Sequence, residues 1–544
     1  MPELPPEFLD RLRSFVGPSG ASNDPTILNS YSRTTLPRGT RPAAVAWPSN
    51  REQVQHILKE ASGRSIPVYP ISRGKNWGYG DACASLDGCL ILDLSRMDRI
   101  VEVNTDLAYA VIEPGVTQGQ LVEYLNEHQY PLVVDANGAG PDASLIGNIL
   151  ERGFGHSRYG DRFSHGCNFE VVLADGTLFN TGFGSYPEAK AQHVYKYGIG
   201  PTLDGLFTQS SLGVVTRMTL WLMPKAEHSC FFFVALKEGK AIGPFMDRLR
   251  PLFLSGTLRS TFHCFNDRRL LCGDTAFPWD RADGTQALEV QNPEVLRQLY
   301  QRYKIPAWGG SGCLTGSAVE VRAARRTIRR ALRGLDGIDR LIFLDESFLR
   351  WIERGVKILS CLPPLRPLMQ YVNKIRMGVQ VAKGIPLREP LKGAGWRSRV
   401  GDADALDPLE KKAGLIWISP VLPMTAQALA DVLIPSEKTF HQYGFEFQVT
   451  VSCLNERAVC AVMSISFDNQ SEDEKARAQA CHQQLLRDLT HQGYVPYRSA
   501  SLFPTILWEA SPDYWQAVER LKAAWDPAGI LAPNHYIRTP TSKS

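Results

Sequence analysis

Residues 71–80 read Ile71-Ser-Arg-Gly-Lys-Asn-Trp-Gly-Tyr-Gly80. Gly74, Gly78 and Gly80 come close behind the apolar run Ile66-Pro-Val-Tyr-Pro-Ile71 and ahead of a second one, Cys89-Leu-Ile-Leu-Asp-Leu94. This pattern predicts a strand, a glycine-dense loop and another strand. Glycines let backbone N–H groups turn toward one point and come close to a bound anion, and Arg73 and Lys75 add positive charge there. Glycine spacing of this kind most often marks an ordinary turn, so the letters around it have to decide.

Before this loop, Ala43–Trp47 reads as a strand, and Ser49-Asn-Arg-Glu opens a helix with Val54, Ile57, Leu58 and Ala61 on one face. After it, Arg99–Val103 and Ala108–Ile112 read as a hairpin around Asn104-Thr-Asp, and Thr117–Glu127 as a helix. Helices and paired strands mixed in this way predict an α+β fold rather than a repeated βαβ array. No GxGxxG leads from a strand into a helix, which argues against a Rossmann nucleotide fold. A second stretch rich in small residues covers 132–155, where Ser144 is placed to cap a short helix ending before Gly153.

Past Pro224 the texture changes. Cys230–Leu236 reads as a strand, Gly239–Phe253 and Pro293–Tyr303 as helices. Leu415–Val421, Ala426–Tyr443, Phe445–Ser452, Ala458–Phe467 and Asp473–His491 then alternate as strand, helix, strand, strand, helix. That order predicts a second domain, an antiparallel sheet covered by helices on one face. We divide the chain into residues 1–225, 226–494 and a C-terminal return to the first domain over 495–544. Arg322–Arg333 sets six arginines three to four apart, a solvated helix face or, as the alternative, a surface for an acidic partner. Residues 350–384 mix basic and apolar side chains around a Pro-Pro break and suit a pocket cover, a subunit interface or a peripheral membrane contact.

Totals exclude several classes. The chain has 544 residues, room for two or more domains, and a net charge of +4 that does not suggest a nucleic-acid partner. Eleven cysteines without a CxxC pair fit reduced thiols, and no HxxxH or HExxH suggests a metal. There is no basic start followed by an apolar segment and no uninterrupted apolar run of about 18 residues. A cytoplasmic protein without stable membrane insertion is the expectation.

Four groups of letters decide among the enzymes. Arg73-Gly-Lys-Asn-Trp-Gly-Tyr-Gly80 resembles the phosphate-cradling loop of the vanillyl-alcohol oxidase and p-cresol methylhydroxylase flavoproteins. Ser144, Asn148, Glu151, Arg152 and Gly153 resemble that family's second flavin-contacting segment. Gly205-Leu-Phe-Thr-Gln-Ser-Ser-Leu-Gly-Val-Val-Thr216 is similar to the segment laid against the flavin ring, and Trp525-Asp-Pro-Ala-Gly-Ile-Leu-Ala-Pro533 to the closing one. The resemblance implies the two-domain FAD-binding fold of that family. It implies FAD held by Ser72, Arg73, Gly74, Lys75, Asn76, Gly78, Tyr79, Pro141, Ser144, Asn148, Glu151, Gly153, Gly213, Val214, Val215 and His535. In the phenol-oxidising branch, Tyr79, Tyr497 and Arg498 fall where the substrate's phenolic oxygen is gripped, and Trp417 where a pocket tryptophan stands. A phenol is then oxidised at its para benzylic carbon, with oxygen or a redox protein as acceptor and a homodimer as the family's habit.

Departures are as informative. The position of the histidine that carries flavin in vanillyl-alcohol oxidase is Leu415, that of the tyrosine in p-cresol methylhydroxylase falls near Asp407, and Asn76 stands near the third attachment point. Noncovalent FAD is therefore expected. The oxidase's aspartate beside N5 lies in a segment that here reads Asn137-Gly-Ala-Gly-Pro-Asp142-Ala-Ser144, with one residue inserted. Asp142 substitutes as the catalytic base, Asn137 takes a non-basic role, or no base is needed. A glutamate of the hydroxylase matches Thr450. A family member acting on a non-phenolic alcohol or amine, and a flavin binder without turnover, are the competing readings.

Overall fold

The computed structural model describes residues 4–346, 349, 375–400, 405–501 and 504–539. Strands β1 (Ala21–Ser22), β2 (Ala44–Ala46), β3 (Val68–Ile71) and β4 (Leu90–Asp93) form a small sheet in the order β1-β2-β4-β3. β3 and β4 run parallel, Val68 facing Leu90, with only the glycine loop between them. Helices Pro6–Val16 and Arg51–Ser62 cover this sheet, and Asn50 caps the second by accepting from the Gln53 N–H. Val54, Ile57, Leu58 and Ala61 are fully buried there, as the periodicity predicts.

A second, antiparallel sheet has the order β5-β6-β10-β8-β9, from β5 (Ile100–Asn104), β6 (Tyr109–Ile112), β8 (Gly166–Val172), β9 (Leu178–Asn180) and β10 (Val214–Trp221). Two short strands, β7 (Leu132–Val133) and β11 (Met223–Pro224), pair beside it. The C-terminal segment comes back to the first sheet: the Val68 N–H donates to the Ile530 carbonyl, and the Ala532 N–H to the Val68 carbonyl, both at 2.8 Å. What fixes that segment is a fully buried pair. Lys522 Nζ lies 2.7 Å from Asp526 Oδ2, and Asp526 accepts the N–H groups of Ile530 and Leu531. Lys522 also donates to the carbonyls of Ser211 and Leu531.

The third sheet has eight strands: β12 (His228–Leu236), β13 (His263–Asn266), β14 (Trp308–Gly316), β15 (Ile338–Asp345), β16 (Ala413–Ile418), β17 (Val421–Pro423), β18 (Gln448–Cys453) and β19 (Ala458–Asp468). Their order is β15-β12-β14-β13-β18-β19-β16, all antiparallel, with β17 also on β19. Helices Ile242–Leu254, Ala318–Leu332, Ala426–Gln442 and Glu472–His491 share one apolar core with one face of it. The alternation is strict where it matters: Cys264, Val449 and Val451 join that core, whereas His263, Phe265, Thr450 and Ser452 face a cavity. Sequence periodicity misses β13, β14 and β15. β14 in particular is glycine-dense because a Cβ at Gly310 or Gly312 would collide with the rings of Phe262 and Phe232, at 2.5 and 2.6 Å.

The arginine-rich helix presents Arg322, Arg326, Arg330 and Arg333 to solvent, while the Arg325 and Arg329 guanidinium groups lie over the Phe343 ring. The stretch singled out at 350–384 lies outside the described residues up to 374. From there a helical run over 375–382 puts Ile375, Met377 and Val381 on the cavity. Among the described residues no helix is long and apolar enough to cross a membrane.

Candidate active site

Between the first two sheets and the open face of the third lies a cavity of about 970 Å³. That is at the upper end of the ~300–1,000 Å³ usual for ligand pockets. At one end, β3 stops at Ile71 and the chain turns through Gly74 (φ +62°) and Gly78 (φ +72°). Ser72, Arg73, Gly74, Lys75 and Asn76 line the cavity. Gly78 lies behind them under Trp417, where a Cβ would come within 2.3 Å of the indole Cδ1. Not all the positive charge expected of the loop is free. Lys75 is paired with Asp407 at 2.7 Å, and Arg73 donates to the Gly115 carbonyl and faces Asp98 at 3.6 Å. The cradle is therefore made chiefly of backbone, as glycine-rich anion sites are.

Against this loop packs the helix Leu145–Leu150, capped by the Ser144 hydroxyl, which accepts from the Gly147 N–H at 2.9 Å. Its approach to the loop is so close that a Cβ on Gly147 would lie 2.3 Å from Ser72 Oγ. Ser144, Asn148 and Glu151 line the cavity, as do Gly213, Val214 and Val215 where β10 begins, and His535 from the returning segment. Gly153 is needed for room, since a Cβ there would strike the Asn148 amide at 2.2 Å. Pro141 stays outside the lining, its carbonyl accepting from the Gly119 N–H.

The three predicted phenol-binding residues come together. The Arg498 guanidinium lies 3.9 Å over the Tyr79 ring, and Tyr497 joins them beside Phe154. Arg498 Nη2 donates to Asn76 Oδ1 at 2.7 Å and to Glu151 Oε2 at 2.8 Å, and the Tyr536 hydroxyl donates to the same carboxylate oxygen at 2.6 Å. Burial pushes the Glu151 carboxyl up, but Arg498 and His535 outweigh it and hold it below its usual range. Both tyrosines are raised, by burial first, and so remain protonated donors. The Tyr79 hydroxyl lies 3.2 Å from Ser419 Oγ. Arg498 Nε is buried and has no partner at all. A buried unpaired donor on a cation is costly, and an anionic oxygen in the cavity would satisfy it.

Other expectations divide. Trp417 lines the cavity and donates from Nε1 to the Trp77 carbonyl at 2.9 Å. Asp142 does not reach it: the carboxylate is exposed and bound by Arg388 at 2.8 Å, because the turn before Ser144 directs it to the surface. The reading of Asp142 as a base is corrected. Asn137 is tied down by Gln118 and the Ala139 N–H. Thr450 does face the cavity.

The sequence gives no signal for several cavity residues. His156 and His263 face each other at 4.1 Å, and both are kept neutral by burial, His156 pushed down to about 4. Asp81 accepts at Oδ2 from Thr34 Oγ1 and from the Thr35 N–H and hydroxyl, while its Oδ1 has no partner. Burial pushes its carboxyl up to about 6 despite those donors. A raised carboxyl pKa means the folded chain holds the proton more tightly than the unfolded one. The stability linked to Asp81 is thus greatest below the unfolded value near 4 and declines as pH rises through about 6. D81N does not titrate, so it is expected to gain on the wild type between pH 4 and 7, by at most about 3 kcal/mol. Denaturation midpoints of the two proteins across that range check this, and a constant difference would contradict it.

A family model, the FAD binding domain, matches residues 42–182. The flavoprotein subunit of 4-cresol dehydrogenase (hydroxylating) from Pseudomonas putida is 27% identical, over 96% of this chain and 94% of that one. The 1'-carboxy-chondrochloren decarboxylase of Chondromyces crocatus is 35% identical over 97% of this chain and 96% of that one. The crystal structure of p-cresol methylhydroxylase with substrate bound superposes with a TM-score of 0.86 at 26% identity, covering 98% and 96% of the two chains. The chain belongs to the vanillyl-alcohol oxidase and p-cresol methylhydroxylase family. The family's two-domain FAD-binding fold also appears in 4-ethylphenol oxidase from Gulosibacter chungangensis, at a TM-score of 0.87 and 24% identity. The cofactor is FAD, and the family's cradle fits it here: a glycine-lined backbone loop meets a short helix at one end, and a buried guanidinium with one unsatisfied N–H stands at the other.

Proposed function

We propose that this flavoenzyme oxidises a para-substituted phenol at the benzylic carbon. The observation that carries the reading is Arg498, held by Asn76 and Glu151 with Nε left over, over the ring of Tyr79 and next to Tyr497, two tyrosines whose hydroxyls stay protonated. A free phenol has a pKa of about 10, and ionising it at pH 7 takes roughly 4 kcal/mol of preferential anion binding. One guanidinium and two hydroxyl donors in a dry cavity supply energies of that order. The resulting phenolate pushes electrons into the ring, so that the para carbon gives up hydride and becomes a quinone methide. Bound FAD supplies the two-electron acceptor for that hydride. Trp417, Phe265 and the strands behind them keep water from the substrate arm and hold it in one orientation.

We also propose that the flavin is noncovalent. Asn76 is engaged by Arg498, Asp407 by Lys75, and Leu415 is core. Electrons pass on to oxygen or a redox protein. A second reading, the same oxidation coupled to loss of carbon dioxide, is favoured by the placement of Asp142 outside the cavity and of Thr450 inside it. The carboxylated compound named for the Chondromyces crocatus relative points the same way.

The test is anaerobic. The purified protein should be yellow, release its flavin into the supernatant on acid precipitation, and bleach when 4-(hydroxymethyl)phenol or 4-ethylphenol is added. A holoenzyme that no para-substituted phenol reduces would overturn the proposal.

A further inference from the structure

One cation in the cavity has no counter-charge. Arg269 lies on the short helix Asp267–Cys272, directly after β13, and lines the cavity with its guanidinium 5.2 Å over the Trp417 ring. Its backbone N–H is bound by Asn266 Oδ1, but its side-chain Nη1 is buried without a partner. The neighbouring Arg268 shows what a compensated arginine looks like here: it pairs with Asp267, Glu289 and Glu437. Among the described residues no carboxylate stands within ion-pair distance of Arg269. Burial disfavours its charge and only Cys272 opposes that. A guanidinium does not lose its proton in proteins, so it takes an anion from elsewhere.

The geometry limits which anion. Trp417, under Arg269, and Ser419, beside the Tyr79 hydroxyl, are two residues apart at the end of β16. Two residues of strand span about 7 Å, the scale of a phenol's para substituent rather than of a second molecule. The acids that line the cavity are occupied or peripheral. Asp81 is held by Thr34 and Thr35, Glu151 by Arg498 and Tyr536, Asp274 has a partner of its own, and Asp339 and Glu389 are exposed.

We propose that Arg269 receives a carboxylate on the para side chain, and that this chain takes carboxylated phenols and releases carbon dioxide after oxidising them. The inference rests on the phenol reading above. For a three-carbon acid arm the step balances without a base. The benzylic C–H bond breaks, its hydride reduces the flavin, and the phenolate becomes a quinone methide. The bond to the carboxylate carbon then breaks, and its electron pair forms the new C=C bond and restores the phenolate. Carbon dioxide leaves, and the product phenolate takes back from the medium the proton that the substrate phenol released on ionising. A family enzyme that ends instead by deprotonation or by adding water needs a group to move that proton. Among the described residues no free carboxylate faces the arm, and decarboxylation needs none. Arg269 binds and orients the acid, and its ion pair is given up as carbon dioxide departs.

The test uses holoenzyme and two pairs of probes that differ only by the carboxylate. The first pair is 3-(4-hydroxyphenyl)propanoate and 4-ethylphenol, followed by anaerobic flavin reduction and by trapping labelled carbon dioxide. The second is 4-hydroxycinnamate and 4-vinylphenol, which lack an oxidisable benzylic carbon and report binding by calorimetry. The wild type should favour the acid in each pair by about tenfold or more, with one carbon dioxide per flavin reduced. R269Q should remove the preference while reduction by 4-ethylphenol stays within about twofold and the flavin stays bound, and R269K should restore part of it. Equal loss for acid and neutral probes, loss of flavin from R269Q, or a wild type indifferent to the carboxylate would overturn the inference alone. If neither phenol reduces the flavin, the phenol reading falls and the inference with it.

Discussion

R498M is expected to reduce its flavin with a 4-alkylphenol about a thousandfold more slowly than the wild type. The figure follows from the need to stabilise the phenolate by roughly 4 kcal/mol, most of which a buried guanidinium supplies and a thioether does not. The variant also removes the partner that holds Glu151 low, so a structural collapse has to be told apart from a chemical loss. The pH profile does this. On the proposed mechanism the wild-type site ionises the phenol, and reduction should be nearly flat from pH 7 to 9. In R498M only solvent can ionise it, and the rate should climb with pH toward the phenol's own pKa. Y79F and Y497F, each removing one hydroxyl donor, should lose about ten- to a hundredfold with the same substrates. A loss of only a few-fold in R498M, or a parallel loss with no pH recovery, would argue that Arg498 supports the fold and not the phenolate.

D526A is expected to destabilise the protein by about 3–5 kcal/mol, the range for breaking a buried pair from one side. The alanine leaves Lys522 charged and fully enclosed, and it orphans the N–H groups of Ile530 and Leu531. Those residues set the strand-like edge on Val68 from which Ala532 and His535 reach the cavity. The same change should therefore weaken FAD binding, giving protein that purifies partly colourless. Midpoints of chemical denaturation and flavin content measure the two effects. D526N, which keeps one acceptor, should fall between. An unchanged midpoint would mean that Lys522 finds water or another acceptor.

Much of the cofactor half was legible because its signals are local. A glycine loop and a serine cap each force a backbone shape within a few residues, and Tyr79 and Arg498 come with motifs attached. The cap region was harder. β14 carries glycines where rings from β12 and the segment before β13 fill the space, so its strand character lies in its neighbours and not in its own letters. Arg269 follows a strand that has no periodic signature, and its meaning comes from the counter-charge it lacks. The Lys522–Asp526 pair has the i, i+4 spacing of an ordinary surface bridge, and only the fold shows that it is sealed. Asp142 misled because the turn before Ser144 leaves its carboxylate at the surface, where Arg388 binds it.

The two faces of the large sheet have a consequence for descent. Along β13 and β18, neighbouring residues alternate between the helix-covered core and the cavity. Exchanges at His263, Phe265, Thr450 or Ser452 alter what fits in the cavity, while Cys264, Val449 and Val451 hold the scaffold together. Inherited variation in substrate can thus accumulate at every second position without disturbing its neighbours. A lineage built on this sheet is able to wander widely among substrates while its architecture stays the same.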